Sequence, residues 1–154
     1  MRVAFMLIYG DIGGAEFVAF QHALIAKKKG LDVVGICTTE GTTADRFREN
    51  GMEFIVCEEL RTKNTLEYLE KLLQNIDVVY NCNYWGIMNY LGKLKLKLGY
   101  RLITIIHSNV DWVMQQIKVY DSFIDSYIAT SDLIERLMIE TGTSIKKINN
   151  IPDC

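Results

Sequence analysis

Three short segments of this 154-residue chain carry residue types suited to chemistry on a small ligand. The first reads Gly10-Asp11-Ile12-Gly13-Gly14-Ala15-Glu16. Adjacent glycines at a strand-to-helix turn let the backbone approach a ligand closely. They also leave free N–H groups at the positive end of a helix, a setting that suits a phosphate. A tight turn that merely needs glycine accounts for the same residues. The segment lacks both the GxGxxG spacing of a dinucleotide site and the lysine of a P-loop, so neither of those sites is present.

The second segment is His107-Ser108-Asn109, which follows the apolar run 102–106. A histidine at the end of such a strand is aimed at the crevice above the sheet, where it donates to a hydroxyl or a developing charge. A strand-end histidine satisfied within the fold is the alternative. His22 lies within a helical stripe and reads as packing. The third segment, Asn81-Cys82-Asn83-Tyr84-Trp85, joins amides, which bind sugar hydroxyls, to aromatic rings, which stack on sugar C–H faces. A helix N-cap with a buried ring explains it equally well. No close carboxylate pair stands out, and no Ser-His-Asp set falls at one place.

These segments must be held by regular elements, and the sequence alternates short apolar runs with longer amphipathic ones throughout. Strands are predicted over 2–9, 32–38, 53–57, 77–82, 101–107, 123–130 and 147–151. Helices are predicted over 14–29, 42–50, 64–74, 85–98, 110–120 and 133–141. The run 2–9 is nearly all apolar, as befits a parallel strand covered on both faces. Gly30, Gly51, Gly99 and Gly142 each follow a helix as its stop signal. Six or seven βα units without hairpin turns imply an α/β fold, a doubly wound Rossmann-like parallel sheet with helices on both faces, in a single domain over 1–154. In such a sheet ligands bind outside the carboxyl ends of the strands, which selects segments 10–16, 38–40, 81–85, 107–109 and 130–131.

Composition removes several function classes. The net charge of -2 is not that of a dedicated nucleic-acid binder. No apolar run is long enough to span a bilayer, and no signal peptide opens the chain. The four cysteines lack zinc spacing, and Cys37, Cys57 and Cys82 each end a strand-like run. They read as buried free thiols in a reducing cytoplasm. The locally basic stretch 92–101 forms a helix with Lys93 and Lys97 on its outer side. That is a solvated face, or a weak peripheral contact with an anionic membrane surface at the inner face of the membrane.

The chain resembles the N-terminal domain of the family 4 retaining glycosyltransferases of GT-B architecture. Gly13-Gly14-Ala15-Glu16 is like that family's GGxE turn, and His107 is like its strand-end histidine. The stretch from Ile128 to Ser131, the helix ending at Gly142, and Lys147-Ile148-Asn149-Asn150-Ile151-Pro152 are similar to its approach to the interdomain linker. After Ile151-Pro152 the family usually shows Asn-Gly, where this chain has Asp153-Cys154.

The resemblance implies transfer of a hexose-type sugar from a nucleotide donor to a sugar or lipid-linked acceptor, with retention at the anomeric carbon. His107 would face the transferred sugar as the catalytic group. Gly13 and Gly14 would face the donor diphosphate or the acceptor. Ser108 would lie beside His107, and Ser131 with Asn81, Asn83, Tyr84 and Trp85 would line the acceptor side. The family needs no metal, and no DxD-type site is present. The C-terminal nucleotide-sugar-binding domain would be absent from this chain, leaving it inactive alone. The alternative is a stand-alone Rossmann-like binding or assembly module that pairs with a separate chain.

Overall fold

The computed structural model describes residues 1–11 and 13–152; Ile12, Asp153 and Cys154 lie outside them. Strands β1 (Arg2–Met6), β2 (Asp32–Cys37), β3 (Glu53–Val56), β4 (Val78–Cys82), β5 (Arg101–Ile106), β6 (Ser126–Ala129) and β7 (Ile148–Asn150) alternate with six α-helices. These are α1 (Gly14–Lys28), α2 (Thr42–Glu49), α3 (Thr65–Leu73), α4 (Met88–Leu98), α5 (Asp111–Tyr120) and α6 (Asp132–Glu140). All seven strands run parallel, in the order β3-β2-β1-β4-β5-β6-β7. The doubly wound sheet inferred from the alternating pattern is therefore present.

Alternation along each strand divides the core into two layers. Ala4, Met6, Val34, Ile36, Val79, Leu102, Ile106 and Tyr127 face one way, against α3, α4, α5 and α6. Val3, Phe5, Leu7, Val33, Cys37, Tyr80, Cys82 and Ile105 face the other, against α1 and α2. The direction of winding reverses between β1 and β4. Right-handed crossovers then put two helices on one face and four on the other. Among the described residues, the two-helix face is incompletely covered. Val78, Ile103 and Ile128 stay half-buried along an apolar groove of about 390 Å³, which His22, Ile25 and Ile151 border.

Several boundaries differ from expectation, and each difference is local. β1 ends at Met6, although Leu7 adds one further sheet bond to the Ile36 carbonyl at 2.9 Å. The helix expected over 85–98 opens with a 3-10 turn, Trp85–Ile87, before α4 begins. Gly99 ends α4 in the left-handed region at φ 80°, where a side chain would be strained.

Candidate functional site

The loops after β1 and β2 clasp each other at the carboxyl edge of the sheet. The Gly10 N–H donates to Thr39 Oγ1 at 2.9 Å, and the Thr43 N–H donates to the Gly10 carbonyl at 2.7 Å. The Thr38 hydroxyl donates to the Ile8 carbonyl at 2.6 Å, and the Thr43 hydroxyl donates to the Asp11 carbonyl at 3.1 Å. A Cβ on Gly10 would fall 2.1 Å from the Thr39 carbonyl oxygen. Gly41, which caps α2, has φ 157°, and a Cβ there would meet Asp11. These two glycines are required by the close approach of the loops. Sequence reasoning named Gly10 only as the start of its loop and did not name Gly41, because the approach joins segments 29 to 32 residues apart.

Gly13 and Gly14 are different. Gly13 is the N-cap of α1 with extended backbone, and Gly14 is its first residue. Neither has a positive φ, and among the described residues a Cβ on Gly14 would meet nothing within 4 Å. At Gly13 a Cβ would lie 2.5 Å from Glu16 Oε2, so the glycine leaves room for that carboxylate to fold back over the start of the helix. Tyr9, Asp11, Gly13, Glu16, Thr39 and Glu40 together line an open hollow of about 490 Å³.

The hollow carries negative charge. Arg48 holds Glu40 through two bonds, at 2.8 and 2.9 Å, and this pairing keeps the Glu40 carboxyl below the usual glutamate range. Asp11 and Glu16 add two further carboxylates, and among the described residues no Lys, Arg or His lines the hollow. Beneath the hollow, the Cys37 thiol donates to the Thr39 carbonyl at 2.8 Å, and burial pushes its pKa up to about 11.

Of the residues selected from sequence, Gly13 lines this hollow and Gly14 adjoins it. His107 and Ser108 lie in the connection from β5 to α5, both half-buried, with Asn109 exposed beside them. Ser131 caps α6, its Oγ accepting from the Ile134 N–H at 3.3 Å. The amide and aromatic segment after β4 turns inward. Asn81 is fully buried, and its Oδ1 accepts from the Tyr84 N–H at 3.1 Å. Tyr84 is buried, with its hydroxyl donating to the Leu60 carbonyl at 3.4 Å. Trp85 stacks on Tyr120 of α5, and its Nε1 donates to Asn83 Oδ1 at 2.8 Å. Asn83 alone takes the left-handed turn, at φ 63°, and stays half-buried. The helix start with a buried ring describes this segment. Asn81, Tyr84 and Trp85 spend their polar groups and rings inside the protein.

His22 meets the Tyr80 hydroxyl at 2.6 Å beside the apolar groove, on the packing side of α1. Among the described residues, no group of three or more His, Cys, Asp or Glu side chains is placed to hold a metal ion. Among the same residues, no helix is long and apolar enough to cross a membrane.

No protein-family model matches the chain, and no curated protein matches it. Solved structures do. HepE of Anabaena, solved in complex with UDP and glucose, superposes with a TM-score of 0.80 at 12% identity, covering 99% of this chain and 44% of its own. A lipopolysaccharide outer core galactosyltransferase, WaaB, gives 0.72 at 16% identity, over 97% of this chain and 44% of its own. A glycosyltransferase from Rickettsia africae gives 0.73 at 13% identity, over 98% and 42%. This chain thus spans under half the length of the proteins it resembles. What it shares with them is a fold, the Rossmann-like α/β domain of the GT-B glycosyltransferases.

Proposed function

We propose that this chain is the N-terminal, acceptor-side domain of a retaining glycosyltransferase similar to family 4, which takes its sugar from a nucleotide donor. The observation that carries the reading is the match to HepE, bound to UDP and glucose, over 99% of this chain but 44% of that one. The exposed Gly13-Gly14 turn supports it, because nothing in the backbone or its packing requires a glycine at Gly14. In this reading the active site is a cleft, and a second domain supplies the wall that holds the nucleotide. A single wall does not position donor and acceptor or exclude water, so the chain alone is inactive. No metal takes part.

His107 is the proposed catalytic group. Its ring donates a hydrogen bond to the transferred hexose, or to the oxygen that gains charge as the bond to the diphosphate breaks. Ser108, Ser131 and Asn83 lie at neighbouring loop positions and line the acceptor side. The acceptor is a sugar or lipid-linked sugar. A lipid-linked acceptor would place the enzyme in the cytoplasm at the inner face of the membrane. The test is sugar transfer by the polypeptide that joins this domain to its partner domain, with UDP-sugars as first probes. Turnover by the joined form and none by the chain alone is expected. Turnover by the chain alone, or none by the joined form with any nucleotide sugar, overturns the reading.

A second reading, an assembly module that pairs with a separate chain, is favoured by the apolar groove over Val78, Ile103 and Ile128, which the described residues leave open. It predicts a stable complex with a second polypeptide and no transfer in any form.

A further inference from the structure

We draw no further inference here: the strongest candidate, the apolar groove of about 390 Å³ over Val78, Ile103 and Ile128 on the two-helix face of the sheet, carries nothing because nothing in the structure shows what covers it.

Discussion

The carboxyl ends of β1 and β4 are neighbours in the sheet, with Met6 opposite Asn81, yet they end in opposite ways. After β1 the chain stays open: Tyr9, Asp11, Gly13 and Gly14 are all exposed above the strand. After β4 it closes: Asn81, Tyr84 and Trp85 sink into the core layer of α3 to α6. The difference follows from what lies above each strand end. α4 sits between α3 and α5, so a ring that follows β4 finds the Leu60 carbonyl on one side and Tyr120 on the other. α1 packs on α2, and the described residues around its first turn, Tyr9, Asp11, Gly13 and Gly14, stay exposed. Polar and aromatic residues at a strand end mark a site only where the neighbouring helices leave room above them.

The largest expected effect comes from the closed side. Trp85→Ala removes a buried ring and should destabilise the chain by about 3–5 kcal/mol, read by urea unfolding. A stability unchanged within error would mean that the ring is not part of the core and would restore the segment to the site.

After β5, on the far side of the closed end, His107→Ala in the joined polypeptide should lower turnover by about a hundredfold or more at unchanged melting temperature. Loss of both together would make His107 a packing residue. Retention of both would remove it from the site.

Two glycines a few residues apart then separate structure from function. Gly10→Val drives a branched side chain into the Thr39 carbonyl and should cost about 1–3 kcal/mol. Gly14→Val projects into open space, so stability should change by only about 0.5 kcal/mol. Activity of the joined form should nonetheless fall sharply, because the added side chain stands where a ligand would approach. Normal kinetics for Gly14→Val would show that the turn binds nothing.

The smallest effect concerns charge at the rim of the hollow. Arg48 depresses the Glu40 carboxyl by hydrogen bonding to its ionised form. Arg48→Ala should therefore raise the Glu40 midpoint toward the usual glutamate range, followed by NMR pH titration, with little change in stability because the pair is exposed. An unmoved midpoint would show that the two-bond pairing does not persist in solution.

Much of the architecture was legible before any coordinates. Near-continuous apolar runs alternate with helical stripes, and parallel strands buried on both faces produce that pattern locally. The left-handed glycines that stop helices, such as Gly99, were legible for the same reason, since a helix end is a property of a few adjacent residues. Burial of Cys37, Cys57 and Cys82 also followed from their places at the ends of apolar runs. Which strand end stays open could not be read this way. The need for glycine at Gly10 comes from Thr39, and the fate of Trp85 comes from Tyr120. The half-buried strip of Val78, Ile103 and Ile128 comes from winding two helices onto one face and four onto the other. Local periodicity thus determined the elements and their class. Tertiary structure alone decided which glycines are free to meet a ligand, because free space is set by groups remote in sequence that pack against them.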